Sequence, residues 1–184
     1  HRDVVRIITP GTAQIDTVYE SNSINYLASI CKVGQSYGLA YVDVSTGQFK
    51  CDSFKNLDGL QNELRRLDPR ELLVDDSLSN QINHPQKSPF FPYEKKQAEA
   101  YILNHFKIKA TTVFQIDYLQ ASYPAIVAIL EYLNYTQKGA FSQIQNIKPN
   151  ISNEYCYFDQ GVIEHLDLFD KQAGLYGILN QTKT

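Results

Sequence analysis

Short apolar runs rich in β-branched residues occupy the first part of the chain and predict strands. Residues 4–8 form one such run, which ends at Thr9-Pro10-Gly11-Thr12, where proline fixes φ and glycine permits a tight turn. Residues 24–27 form a second apolar stretch. We therefore expect an extended strand that enters a turn, followed by further strand structure.

The next apolar run, residues 37–44, predicts a largely buried strand, in which Gly38 allows close approach of a neighbour. Residues 45–47 read Ser-Thr-Gly and predict a tight connection to residues 48–51, which are again extended in pattern. These two runs are therefore predicted to form a β-hairpin.

Helical spacing follows the hairpin. Ser53 is a candidate N-cap for a helix that ends at Asp68-Pro69, because proline cannot continue it. The apolar residues of this helix recur every three or four positions: Phe54, Leu57, Leu60, Leu64 and Leu67. Residues 71–74 follow as a short strand, and the order strand, strand, helix, strand is typical of an α/β unit.

A proline-rich segment separates this unit from the next helix. Residues 76–93 predict a loop, in which Leu78 and Ile82 would share one helical turn. A helix is predicted from Glu94 to about Phe106. Residues 111–116 read as a final strand or as a connector.

The rest of the chain is helical in pattern, without strands between the helices. A helix that begins near Ser122 and Pro124 is apolar around much of its girth and requires burial by several neighbours. We therefore predict an α/β domain over residues 1–117 and the start of a truncated helical domain over residues 118–184. His1 is no natural start and the chain lacks Met, so we expect an internal piece of a longer protein.

Composition narrows the classes of function. Hydrophobic residues make up 43% and charged residues 20% of the chain, which is typical of a soluble globular protein without a membrane span. A net charge of −3 argues against autonomous nucleic-acid binding. Cys31, Cys51 and Cys156 have no metal-ligand spacing and predict reduced, buried thiols. No phosphate-binding G-x-x-x-x-G-K-[ST] loop is present, so we expect no cofactor in this piece.

Several longer motifs follow one another in a fixed order. They are residues 4–12 (VVRIITPGT), 25–28 (NYLA), 38–49 (GLAYVDVSTGQF), 63–64 with 69–73 (EL and PRELL), 129–133 with 136–138 (ILEYL and TQK), and Leu179 with 182–184. In this order they resemble the MutS family of DNA mismatch-repair ATPases, in particular the bacterial members. Residues 159–168 depart from the family pattern, which leaves the connector of a non-repair MutS paralogue as an alternative.

The resemblance implies an RNase H-like α/β connector domain, with a mixed sheet flanked by helices, followed by an α-helical fragment of the lever domain. It implies a non-catalytic region that links mismatch recognition to the lever and the ATPase and offers a surface to a MutL-type partner. For the parent protein it implies a cytoplasmic, homodimeric, DNA-dependent ATPase that uses ATP and Mg²⁺ and binds mismatched DNA.

Three carboxylates raise a competing hypothesis. An RNase H- or RuvC-like nuclease would place a metal-binding carboxylate at Asp43 on its first strand, with Glu63 and Asp75 or Asp76 completing a two-metal set. Against this, Asp43 precedes Ser-Thr-Gly, where Asp commonly accepts backbone N–H bonds to close a turn. Glu63 also lies in a helical stretch that looks exposed. We therefore predict neither a catalytic residue nor a metal site, and keep the nuclease as the alternative.

The exposed side of the helix over residues 94–107 is the partner surface that the resemblance implies. Glu99 and Tyr101 are its candidate binding residues. The sequence assigns no residue to DNA binding.

Overall fold

A computed structural model of the chain describes residues 9–11, 25–137 and 144–150. They belong to the first of two compact units, residues 1–150, while the second unit is residues 151–184. Predictions that lie outside the described residues are the strand at 4–8, the buried thiol of Cys156 and the helices beyond residue 150.

Six strands form one mixed sheet in the described part of the chain. They are β1 (Tyr26–Val33), β2 (Ser36–Asp43), β3 (Gln48–Phe54), β4 (Glu71–Asp75), β5 (Lys87–Phe90) and β6 (Lys148–Pro149). Their order across the sheet is β5-β4-β1-β2-β3-β6. β2 is antiparallel to both of its neighbours, and the remaining pairs are parallel. The mixed sheet and its flanking helices agree with the predicted α/β class.

The α-helices among the described residues are α1 (Leu57–Leu67), α2 (Lys95–Phe106) and α3 (Tyr123–Gln137). Short 3₁₀ helices lie at Asp76–Leu78, Thr111–Phe114 and Gln120–Ser122. α1 covers one face of the sheet, while α2 and α3 pack together on the other, so the domain has a separate core on each face.

The β2–β3 hairpin confirms the turn predicted at residues 45–47. Gly47 has a φ of +73°, a conformation that glycine adopts without a steric penalty, and its N–H donates to the Asp43 carbonyl at 2.8 Å. Pairing then continues to the end of both strands, where Tyr37 lies opposite Phe54.

This pairing explains why the predicted start of α1 is wrong. Ser53 and Phe54 remain in β3, and the N-cap is Asn56, whose Oδ1 accepts from Gly59 N–H at 2.8 Å. The predicted end is confirmed, because Asp68 takes up the left-handed conformation of a C-cap directly before Pro69.

Two irregular segments differ from the sequence prediction. β5 lies within the predicted loop of residues 76–93, and it accommodates Pro89 because an edge strand need not use every N–H in the sheet. Residues 111–114 form a 3₁₀ helix rather than a strand. Of the two structures predicted for residues 111–116, the segment that connects neighbouring elements is therefore confirmed.

α3 lies on the sheet, although the sequence assigned its residues to the second domain. Its buried side chains include Ile126, Ile129 and Leu133, and it contacts β1, β2 and α2. Because this helix is apolar around much of its circumference, it requires burial on more than one side, and the sheet and α2 provide that burial. The compact unit therefore runs past the predicted boundary at residue 117 to residue 150.

Gly38 makes the start of α3 possible. A Cβ at this position would lie 2.0 Å from the carbonyl oxygen of Ala121, in the 3₁₀ turn that precedes α3. The Cys31 thiol donates to the same oxygen at 3.2 Å. Burial raises the pKa of Cys31 and of Cys51 to about 12, so both predicted buried thiols are confirmed and neither is an activated nucleophile.

Candidate functional site

Asp43 lies at the end of β2, where its carboxylate closes the hairpin turn. Oδ1 accepts from Ser45 N–H at 2.9 Å and from Ser45 Oγ at 2.6 Å, and Oδ2 accepts from Thr46 Oγ1 at 2.7 Å. Burial raises the pKa of Asp43, but the bonds from Ser45 and Thr46 outweigh it and hold the pKa below its ordinary value. Asp43 therefore has the turn-closing role that the sequence predicted.

Asp75 closes a second turn, at the end of β4. Its Oδ1 accepts from Ser77 N–H at 2.9 Å and its Oδ2 from Lys32 N–H at 3.0 Å. The neighbouring Asp76 is exposed in the 3₁₀ turn. Both oxygens of Asp75 thus hold backbone groups.

The two turn-closing aspartates lie toward opposite ends of β1. Asp43 is paired with Tyr26 at the start of that strand, whereas Asp75 accepts from Lys32 near its end. Six residues of strand span about 20 Å, which is several times the separation of the ions in a two-metal site. β1, the first strand of the described residues, contains no carboxylate, and Asp43 belongs to the second.

Glu63 corrects the expectation of an exposed helical stretch. Its side chain faces the sheet from α1 and the residue is only 8% exposed. It forms an ion pair with Arg66, and its Oε1 accepts from Asn150 Nδ2 at 2.7 Å. Within residues 9–11, 25–137 and 144–150, no three His, Cys, Asp or Glu side chains form a group that could hold a metal ion. The geometry does not favour the nuclease alternative.

Asn150 joins Glu63 to a polar cluster that the sequence did not predict. Its Oδ1 accepts from the Tyr41 hydroxyl at 2.9 Å, and its Nδ2 also lies 3.3 Å from Asp52 Oδ2. We call Tyr41, Asp52, Glu63, Arg66 and Asn150 the Asn150 cluster. Burial, with a contribution from Glu63, raises the pKa of Asp52 despite the hydrogen bonds that it accepts from Ser53 N–H and Asn150.

The main chain at Asn150 is held as well, since its N–H donates to the Cys51 carbonyl at 2.8 Å. This bond continues the short parallel pairing of β6 with β3. The Asn150 cluster therefore fixes the last described residues of the first unit to the sheet and to α1.

A second polar cluster surrounds Glu71, at the start of β4. Glu71 is 5% exposed. Its Oε2 accepts from Gly11 N–H at 2.9 Å, and its Oε1 accepts from the hydroxyl of Tyr132 on α3. Burial, and then the hydrogen bond to Glu71, raise the pKa of Tyr132 to about 12. We call Gly11, Glu71 and Tyr132 the Glu71 cluster.

The sequence contained only part of the signal for these clusters. Thr9-Pro10-Gly11-Thr12 stands out as a turn, and Glu71 begins a predicted strand. Nothing in the local pattern connects Gly11 with Glu71 or Asn150 with Glu63, because these pairs are 60 and 87 residues apart.

The candidate partner residues lie where α2 meets α3, and both are half-buried rather than fully exposed. The Tyr101 ring centroid is 6.2 Å from that of Tyr93 and 6.3 Å from that of His105. The Tyr93 hydroxyl donates to Glu131 Oε1 of α3 at 2.7 Å. Tyr101 is therefore partly a packing residue.

Exposed aromatic and charged groups occur on the elements that form this contact. Phe91 is 85% exposed and Tyr135 is 73% exposed, on the segment before α2 and on α3 respectively. Lys95 and Lys96 are exposed in the first turn of α2. Aromatic residues are enriched in protein-binding sites.

Comparison with known proteins identifies the domain. The family model described as MutS domain II matches residues 25–145. This range includes strands β1 to β5 and the three α-helices of the described residues. The chain belongs to the MutS family. The resemblance found in the sequence is thereby confirmed, and the matched part is a MutS domain II.

Relatives from three bacteria extend the match over nearly the whole chain. Proteins named DNA mismatch repair protein MutS are 30% identical over all of this chain in Dehalococcoides mccartyi and 32% identical over 94% of it in Anaplasma phagocytophilum. A protein of the same name from Protochlamydia amoebophila is 29% identical over all of the chain. The chain spans 22–23% of the length of these relatives.

The helices of the described residues do not meet the requirements of a membrane crossing. None of those in residues 25–137 combines the necessary length with a sufficiently apolar character.

Proposed function

We propose that the first unit is the non-catalytic connector of a DNA mismatch-repair MutS protein, with an RNase H-like fold. The observation that carries the proposal is the match of residues 25–145 to MutS domain II. Two features of the structure support it. One is the strand order around β1, and the other is that Asp43, Glu63 and Asp75 each accept hydrogen bonds from structural groups instead of sharing a site.

The parent protein, in this proposal, is a cytoplasmic homodimer that binds mismatched DNA and hydrolyses ATP with Mg²⁺. The names of the relatives support a role in mismatch repair. Mismatch and nucleotide state, sensed outside this chain, would reposition the connector against the lever domain, to which we assign the chain that follows the first unit. Such coupling requires two arrangements with different contacts.

The surface offered to a MutL-type partner, in this proposal, is the open side of the α2–α3 contact. Glu99 and Tyr101 remain its candidate residues, and the exposed Phe91 and Lys95 extend the same region. An exposed aromatic side chain beside charged groups supplies the anchor and the polar rim of a protein interface.

A cleavage assay tests the non-catalytic assignment. The 184-residue chain is incubated with single-stranded, duplex and branched DNA in the presence of Mg²⁺ or Mn²⁺, beside an Asp43→Asn variant. We expect no metal-dependent cleavage by either protein. Cleavage that Asp43→Asn abolishes would contradict the proposal and support the nuclease.

A further inference from the structure

Glu71 is placed to connect two segments that are far apart in the sequence. Gly11 precedes the sheet, whereas Tyr132 lies on α3, and each donates to a different oxygen of the same carboxylate. A carboxylate that is 5% exposed requires such donors, because burial of an unsatisfied charge is strongly unfavourable. If the side chain of Glu71 moved away from either donor, the folded chain would lose stability.

The packing around Gly11 makes this connection tight. A Cβ at Gly11 would lie 2.8 Å from both Cβ and Oε2 of Glu71 and 3.2 Å from Cδ1 of Leu27. Real Cβ atoms do not approach other atoms so closely, so the main chain of the segment rests directly on Glu71 and β1.

Two further hydrogen bonds hold the same segment. Asn25 Nδ2, just before β1, donates to the Pro10 carbonyl at 3.1 Å. The side chain of Thr9 forms a hydrogen bond with the Tyr132 hydroxyl. Residues 9–11 thus contact α3 both directly and through Glu71.

We propose that Glu71 is a positioning residue that couples residues 9–11 to α3, so that a displacement of either changes the hydrogen bonding of the other. This inference rests on the proposed connector function and deepens it. It names the physical contact by which the segment that precedes the sheet and the last α-helix of the described residues influence each other.

Amide hydrogen exchange at Gly11 in the 184-residue chain tests the coupling. Tyr132→Phe removes one donor to Glu71 at a site 121 residues away and keeps the ring. If the two donors are coupled through Glu71, the Gly11 amide should exchange about tenfold faster, as expected for a weakened charge-assisted hydrogen bond. Tyr135→Phe, an exposed tyrosine on the same helix, is the matched control and should leave the rate unchanged.

A second background separates coupling from general loosening of α3. In a Glu71→Leu chain, Tyr132→Phe should change the Gly11 rate much less, because the connecting carboxylate is absent and only the contact of Tyr132 with Thr9 is lost. If Glu71→Leu does not fold, Glu71→Gln replaces it, and the effect of Tyr132→Phe should shrink to less than about threefold without the charge.

An unchanged Gly11 rate in Tyr132→Phe would overturn the inference. So would an equal acceleration with and without Glu71. Neither readout involves a partner protein, DNA or a metal ion, so the connector function can fail its own tests independently of this result.

Discussion

The Glu71 and Asn150 clusters hold the two ends of the described domain in different ways. In the Glu71 cluster, one buried carboxylate accepts from a main-chain N–H and a tyrosine hydroxyl. In the Asn150 cluster, a neutral amide lies at the centre, and two carboxylates and Arg66 surround it. Residues 9–11 are therefore held by the carboxylate of Glu71, whereas residue 150 is held through its own side-chain amide.

The difference predicts unequal tolerance to substitution. Arg66 partly balances the charge in the Asn150 cluster and is itself 32% exposed in its side chain, so water can replace a lost contact there. The donors around Glu71 are a buried glycine and a tyrosine on a core helix. Loss of Glu71 leaves the buried Gly11 N–H and the half-buried Tyr132 hydroxyl without an acceptor, which should lower the free energy of unfolding more.

The largest effect is expected from Glu71→Leu. It should lower the free energy of unfolding by about 3 kcal/mol, because a buried and a half-buried donor lose their acceptor. Urea unfolding monitored by circular dichroism measures the change.

The matched substitution in the other cluster is Glu63→Leu. It should lower the free energy of unfolding by about 1 kcal/mol, because Arg66 and Asn150 keep other partners. An equal or larger loss for Glu63→Leu would refute the proposed difference between the clusters.

Asn150→Ala should lower the free energy of unfolding by less than Glu71→Leu does, about 2 kcal/mol, because Tyr41 loses its acceptor and the two carboxylates lose a shared donor. Hydrogen exchange should also accelerate near β6, since the side chain no longer holds this segment. Asn62→Ala, on the exposed side of α1, serves as the control and should change stability by less than about 0.5 kcal/mol. A null result at Asn150 would mean that main-chain pairing alone fixes β6.

The smallest effect concerns pH and Asp52. Its pKa in the folded chain is raised above the ordinary value of 3.8. Its contribution to the free energy of unfolding is therefore present at low pH and is lost as pH rises through the folded pKa. Asp52→Asn keeps an acceptor for Asn150 and removes the charge, so it should abolish this loss.

Stability curves between pH 3 and 8 (about 0.5 pH units apart) should therefore show Asp52→Asn gaining on the parent chain as pH rises. Asp58→Asn, at an exposed position on α1, provides the comparison. Parallel curves for the parent chain and Asp52→Asn would show that burial at Asp52 has no energetic consequence.

Local sequence patterns were sufficient for much of the fold. The hairpin of β2 and β3, the strand at β4 and the helix α2 were predicted because alternation, turn residues and helical spacing are encoded within short windows. The start of α1 was misplaced because the pairing of Phe54 with Tyr37 extends β3 past Ser53, which no local rule includes.

Burial and long-range contacts account for the rest. Glu63 looked exposed because Arg65 and Arg66 follow it, yet its own position on α1 faces the sheet. Asp43 was recognised as a turn residue because its donors are two and three residues away. The donors to Glu71 are 60 and 61 residues away and could be found only in the folded chain.

Titration with the amino-terminal domain of a MutL-type protein tests the connector assignment most directly. We predict that the 184-residue chain binds it and that Glu99→Lys and Tyr101→Ala each weaken binding about tenfold. Asp58→Lys, which makes the same change of charge on α1, should bind like the parent chain. Absence of binding by the parent chain, or undiminished binding by both α2 variants, would contradict the proposed partner surface.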